Sequence, residues 1–186
     1  MLDVAKPREI NLPGFFFQSE ICTFVSNFLI NPTTQNCHIR KLNLSDNEIG
    51  DKGVRILAEN LLPHTKSLVA LELRNNSITH VGAQWLFLCL ESNESVIELD
   101  LGTGTRIESH PHRNKIGEGG ARALARTLSK QRFLSWINLS YNMIGDKGFY
   151  HIMLQLAKTV LRLKGEGLQP MFFDFRNNLI TENAME

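Results

Sequence analysis

Leu42-Asn43-Leu44-Ser45-Asp46-Asn47-Glu48-Ile49-Gly50-Asp51-Lys52-Gly53 decides the fold, because the chain writes nearly this phrase five times. The frame Leu-x-Leu-x-x-Asn-x-Ile-x-x-x-Gly returns at Leu71 to Gly82. It is split between Leu99/Leu101 and Asn114-x-Ile116-x-x-x-Gly120, returns at Ile137 to Gly148, and starts again at Phe173-x-Phe175-x-x-Asn178-x-Ile180. The marker asparagines are 29, 38, 28 and 36 residues apart (76−47, 114−76, 142−114, 178−142). That is a unit of 28 or 29 residues carrying two insertions. A fixed period of this size predicts a solenoid, in which no unit buries its apolar face alone and each stacks on its neighbours.

Within a unit the alternation at Leu42/Leu44 has the period of a strand with one buried face. After the glycine the period becomes helical. Positions one, four, five and eight are apolar in every full unit: Val54, Leu57, Ala58, Leu61; Ala83, Leu86, Phe87, Leu90; Ala121, Leu124, Ala125, Leu128; Phe149, Ile152, Met153, Leu156. Such a stripe covers one helix face. Strand then helix, repeated, gives an α/β chain of parallel strands joined by helical crossovers. The asparagine stands where the chain leaves the strand, and its amide can donate to and accept from backbone groups of a buried turn. The glycine suits a close backbone approach or an unusual φ.

These residues resemble the leucine-rich repeat family, in its ribonuclease-inhibitor-type branch, over about residues 39 to 182. The resemblance implies a horseshoe segment, with parallel strands lining the inside and helices the outside. It also implies binding of other macromolecules. Functions in the family range from inhibitors and actin cappers to the activator of the Ran GTPase and the sensing arms of NOD-like receptors. The fold does not choose among them.

The partition expected is a degenerate N-terminal capping unit at 1–38 and leucine-rich repeats at 39–186, four with helices and a truncated fifth. In the cap, Ile10/Leu12 read as a worn strand. Glu20 takes the glycine position, with Ile21, Phe24, Val25 and Phe28 as the helix stripe. The fifth unit stops at Glu186, before its helix. The strand around Phe173 and Phe175 is therefore expected to be an open edge, closed by more of a longer solenoid, by a partner or by a second copy.

Composition sets bounds. A chain of 186 residues, 42% hydrophobic and 21% charged, is one soluble domain's worth. A net charge of +1 gives no global field for nucleic acid. Ile21 to Ile30 is too short and polar to span a membrane, and Met1 to Arg8 does not read as a secretory signal. Cys22, Cys37 and Cys89 lack metal-type spacing and read as free thiols of a cytoplasmic protein. No cofactor or metal is called for. Gly117-Glu118-Gly119-Gly120 lacks the lysine of a phosphate loop and sits on the repeat's own glycine position.

If the strands line an inner face, three rows point into it. They are Lys41, Ala70, Glu98, Trp136, Phe172; then Asn43, Glu72, Asp100, Asn138, Asp174; then Ser45, Arg74, Gly102, Ser140, Arg176, with Tyr141 beyond. Glu72, Glu98, Asp100 and Asp174 make the centre acidic, and Trp136, Phe172 and Tyr141 gather aromatics toward one end, a combination typical of contact hot spots. A second candidate is the insertion within Gly102 to Arg113, where Arg106, His110, His112 and Arg113 stand. In the other insertion, Val160, Leu161 and Leu163 are expected to prolong the fourth helix, with Lys158, Arg162 and Lys164 on its wet side. The function expected is a non-enzymatic scaffold, adaptor or structural subunit whose protein partner carries a basic patch. The alternatives are a GTPase activator like that for Ran, the ligand-sensing arm of a NOD-like receptor, or a microbial effector.

Overall fold

Three residues of strand per unit suffice, because every strand between the two outermost described ones pairs on both sides with its equivalents. In the computed structural model, which describes residues 8–31, 38–103, 111–162 and 171–185, these are β1 (Glu9–Asn11), β2 (Lys41–Asn43), β3 (Ala70–Glu72), β4 (Glu98–Asp100), β5 (Trp136–Asn138) and β6 (Phe172–Asp174). They form one parallel sheet in chain order. Its register aligns Ile10, Leu42, Leu71, Leu99, Ile137 and Phe173. Between the strands run α1 (Glu20–Ile30), α2 (Gly50–Ile56), α3 (His80–Leu90), α4 (Gly117–Leu128) and α5 (Asp146–Arg162). A widened turn at Leu57–Leu61 continues α2, with Leu62 N–H reaching Leu57 O at 3.0 Å. The solenoid predicted from the period is present.

The core lies between sheet and helices. Leu42, Leu44, Leu71, Leu73, Leu99, Leu101, Ile137 and Leu139 are fully buried against the helix stripes of α2, α3 and α4. Two stripes depart from expectation. In α1 the buried residues are Ile21, Cys22, Val25 and Ser26, while Phe24 and Phe28 are exposed and stack on each other. The register is one residue later than the sequence predicts, so Ile21, not Glu20, fills the glycine position. The packing around Gly53 fixes this: a Cβ there would lie 3.0 Å from Cys22 Sγ and 3.3 Å from Ser19 Cα. The equivalent contacts of Gly148 are Ala121 Cβ and Glu118 Cα, one residue after and two before Gly120. In α5, Ile152 is buried, but Met153 is exposed, and so are Val160 and Leu161 in the prolonged end. Leu163 and Lys164 lie outside the described residues.

The repeat glycines are needed for proximity, not for φ. A Cβ on Gly82 would lie 3.0 Å from Asp51 Cα, so a side chain there would push adjacent helices apart. Left-handed backbone falls instead on the turn residues flanking the asparagines: Asp46 and Glu48, Asn75 and Ser77, Tyr141 and Met143. These conformations cost about 1 kcal/mol or more each.

The asparagines hold those turns. Asn47, Asn76, Asn114 and Asn142 are completely buried. Asn76 Oδ1 accepts from Asn47 N–H (3.0 Å) and Ile49 N–H (3.3 Å), while its Nδ2 donates to Leu44 O (2.9 Å) and Arg74 O (3.0 Å). Asn114 repeats this on Asn76 and Ile78, and Asn178 on Asn142 and Ile144. Asn47 does the same for Phe15 and Phe17. Each side chain thus joins its own turn to the preceding one.

Asn76→Ala should therefore strand two buried amides, costing about 1–3 kcal/mol for each one left without an acceptor. Chemical denaturation of the variant measures it, and an unchanged midpoint would show that water replaces the ladder.

Candidate functional site

The three rows of the strand side differ in what their side chains are free to do. In the second row most polar groups close the strand ends. Asn43 Oδ1 accepts from Ser45 N–H, Asp100 Oδ1 from Gly102 N–H, Asn138 Oδ1 from Ser140 N–H and Asp174 Oδ1 from Arg176 N–H, at 2.9–3.0 Å. A short side chain that accepts from the amide two residues on is an Asx turn. The run Asn, Asp, Asn, Asp in this row therefore has a local cause.

The acidic centre is also largely neutralised within the chain. Glu72 pairs with Lys41 at 2.8 Å, and Arg74 lies 3.6 Å from both Glu72 and Asp100. The carboxylate of Glu72 holds the Lys41 ammonium above its usual pKa. Arg176 grips Asp174 with two nitrogens and holds that carboxyl below the usual range. Asp100 is 5% exposed, and burial raises its pKa despite the Gly102 amide and Arg74. Glu72, Asp100 and Asp174, which the sequence offers to a basic partner, are paired within the chain with Lys41, Arg74, Arg176 and the turn amides.

The first row is different. Glu98 is exposed and makes no ion pair among the described residues. Trp136, in register beside it, is 38% exposed, and Phe172, the next neighbour, 61%. Tyr141 is half-buried, in a left-handed turn next to the buried Asn142. The structure thus brings Glu98, Trp136 and Phe172 together on one open row, with Asn138, Tyr141 and Arg176 on the elements beside it.

The insertion is anchored at its far end. Nε2 of His112 is 3.0 Å from Glu48 Oε1, and its carbonyl accepts from Ser77 N–H at 2.6 Å. Arg113 is half-buried. Arg106 and His110 lie outside the described residues. No cluster of three metal-ligating groups occurs among the described residues, and no described helix is long and apolar enough to cross a membrane. Cys22 and Cys89 are free, and burial pushes the Cys22 thiol up to about 12.

Sequence reasoning missed the exposed aromatics of the first unit. Phe15, Phe16 and Phe17 are 42–63% exposed, and Phe15 stacks on Phe17 with centroids 5.2 Å apart. Three consecutive phenylalanines outside the repeat frame were the available signal. On the helix side, Tyr150 and Leu154 of α5 are exposed where α4 carries Arg122 and Arg126, two and six residues after the glycine.

Comparison with known proteins agrees with this geometry. A Leucine Rich repeat family profile matches residues 35–58. Porcine ribonuclease inhibitor (Sus scrofa) is 32% identical over 149 residues, 64% of this chain and 30% of that protein. The human NACHT, LRR and PYD domains-containing protein 13 is 31% identical over 123 residues, 66% of this chain and 10% of that protein. The chain is a leucine-rich repeat protein of the ribonuclease-inhibitor type. It spans less than a third of the length of these relatives. Among solved structures, Leiomodin-1 Actin-Binding Site 2 superposes with a TM-score of 0.58 at 19% identity, over 86% of this chain and 84% of that one. At that identity the likeness is one of fold.

In this leucine-rich repeat protein the raised pKa of Asp100 has a consequence. Its folded carboxyl holds a proton to higher pH than the unfolded one, so over that interval the native state binds more protons and stability falls as pH rises. Asp100→Asn keeps the acceptor for Gly102 and matches Asn43 and Asn138 of the same row. Melts at pH 4 and pH 7 should show a higher midpoint for the variant at pH 7 and a smaller difference at pH 4. A midpoint lower at pH 7 than at pH 4, relative to the parent, would mean that the Arg74 pair outweighs burial.

Proposed function

We propose that the chain is a non-enzymatic protein-interaction module that takes a protein partner on its strand side, anchored on Trp136. The observation that carries this is the first row: Glu98, Trp136 and Phe172 stay open on a face whose other charges are already paired. Large aromatics held on a rigid sheet lose little entropy on binding and are enriched among residues that dominate interfaces. The name of the similar ribonuclease inhibitor describes a protein that acts on another protein, which supports the same class. The likeness to the NACHT, LRR and PYD protein favours, as a second reading, the arm of a larger receptor. A GTPase activator or a microbial effector gains no particular support.

Of the acidic residues, Glu98 is the one left to meet a basic group of the partner. Charge attraction of this kind mainly raises the association rate and is screened by salt, whereas a buried aromatic mainly slows dissociation. With a partner captured by pull-down, Glu98→Lys should slow association most at low ionic strength. Trp136→Ala should shorten the lifetime of the complex, costing on the order of 2 kcal/mol or more. Surface binding kinetics separates the two, and unchanged rates for both would move the site to the helix side or to the insertion ending at Arg113.

A second contact is assigned to the β6 edge. Among the described residues β6 pairs on one side alone, with β5. Phe173 and Phe175 stack 5.5 Å apart, Phe149 meets Phe175 edge-on at 5.2 Å, and Phe172 and Leu179 are exposed beside them. Unpaired strand edges recruit further chains. Light scattering of the chain over a concentration series should show association, and Phe172→Lys should suppress it. A monomer throughout would reject the edge as a self-association contact.

A further inference from the structure

The outer face of the solenoid has a repeat of its own. The second and sixth residues after the repeat glycine are exposed in every full unit: Arg55 and Glu59, Gln84 and Leu88, Arg122 and Arg126, Tyr150 and Leu154. Four residues apart on a helix, such a pair lies on one face. Helices α3 and α4 are packed on both flanks, and these positions still meet solvent. They therefore point away from the sheet, and a further unit beside β6 would flank Tyr150 and Leu154 without covering them.

In α5 this outward line is apolar. Tyr150 is 56% exposed, Leu154 37% and Leu161 72%, with Ala157 exposed between the last two. Steps of four, three and four residues keep them on one stripe. Met153 and Val160 are exposed too, but they share the flank of Phe149, which meets Phe175, and are not part of it.

The free charge around the stripe has one sign. The carboxylates of α4 and α5 are Glu118, held by Arg122 at 2.8 Å, and Asp146, held by Thr181. Glu91, just after α3, is paired with Lys130. Arg126, Lys147 and Lys158 are exposed and make no ion pair among the described residues. Lys147 precedes Leu154 by seven residues and Lys158 follows it by four, which puts both on the border of the stripe. Arg126 holds the α4 position equivalent to Leu154. A surface with an apolar middle and a basic border is complementary to an acidic amphipathic helix.

We propose that the outer face of α5, with Arg126 of α4 beside it, docks an acidic amphipathic helix of a partner protein. Its apolar side covers Tyr150, Leu154 and Leu161, and its carboxylates meet Arg126, Lys147 and Lys158. From Lys147 to Leu161 the stripe runs about 21 Å, the length of roughly four helical turns. An anionic lipid surface fits less well. The Arg122–Glu118 pair stands beside Tyr150, so a bilayer that took in the stripe would desolvate that carboxylate as well, whereas a single helix covers the stripe alone. This face lies across the core from Glu98, Trp136 and Phe172 and does not depend on the reading of that row.

The test uses the full chain, labelled with nitrogen-15, and two designed peptides of about 18 residues, each a helix with one leucine stripe. One carries glutamates beside the stripe and the other lysines. The glutamate peptide should shift the amide resonances of Tyr150, Leu154 and Leu161, and weaken about tenfold as salt rises from about 50 to about 300 mM. The lysine peptide should bind about tenfold more weakly than the glutamate peptide at low salt. Leu154→Arg copies the residue that α4 carries at the same position, and an unchanged denaturation midpoint checks that the fold is intact. That variant should lose about tenfold in affinity, and Lys147→Glu combined with Lys158→Glu about as much. Equal binding of the two peptides would overturn the proposal and leave an apolar contact without charge selection. Shifts centred on Trp136 and Phe172 would overturn it in favour of the strand side. Phosphatidylserine–phosphatidylcholine vesicles that shift the α5 amides when neither peptide does would overturn the choice of occupant. No response to the peptides or the vesicles would overturn the docking face itself.

Discussion

The turn after each strand is the constraint on which the rest depends. To bring the chain from sheet to helix within a few residues, it places non-glycine residues in left-handed backbone on both sides of the asparagine. These are uncommon conformations with a standing cost. It also buries amides that no helix or strand can satisfy. One side chain answers both problems, because a primary amide has two donor hydrogens and a two-lone-pair oxygen in fixed geometry. Aspartate has the oxygens but not the donors, and serine reaches too short. Hence the asparagine recurs at full burial, while the residues on its flanks vary between Asp46, Asn75 and Tyr141.

The same economy shapes the strand side. A polar residue in the second row has a backbone amide two residues ahead to accept, and Asn43, Asp100, Asn138 and Asp174 all take it. Lys41, Arg74 and Arg176 then neutralise what charge is left. A face that looks acidic in the letters becomes a set of satisfied turns bordered by one open row. Recognition there has to come from shape and aromatic contact more than from a long-range field, since paired surface charges contribute little at a distance beyond the Debye length.

The fold was legible because its signals repeat. Four glycines and five asparagines at constant offset report the same physical demand several times, so an isolated accident such as the Asn114 insertion does not hide it. The first unit was misread by one residue because its two strongest cues are missing: Phe15 stands for asparagine and Ile21 for glycine. Without them the stripe Ile21, Phe24, Val25, Phe28 fits a helix period as well as Cys22, Val25, Ser26, Leu29 does, and the larger residues draw the eye. The candidate site was legible in position but not in chemistry. Row membership follows from a period of two, whereas the pairing of Glu72 with Lys41 depends on which side chains from neighbouring strands meet across the register. Spacing along one strand does not contain that information.

Because each asparagine reaches backward, the units are not equivalent under loss from the two ends. In a solenoid, stability is close to a sum of unit terms and nearest-neighbour terms. Removing the first unit leaves Asn47 with its own-turn bonds to Leu44 O and Ser45 O intact, so its amide stays partly satisfied. Removing the last takes away the oxygen that holds both Asn142 N–H and Ile144 N–H. Both losses free strand amides, Arg40 and Lys41 N–H from Arg8 O in the first case and Leu139 N–H from Asp174 O in the second, but the second also strands the two turn amides, so fraying runs more readily inward from the β6 end. That end also carries the exposed row and the stacked phenylalanines. The least self-sufficient part of the molecule is thus also the part with most to gain from being covered, which couples its local order to whatever binds there.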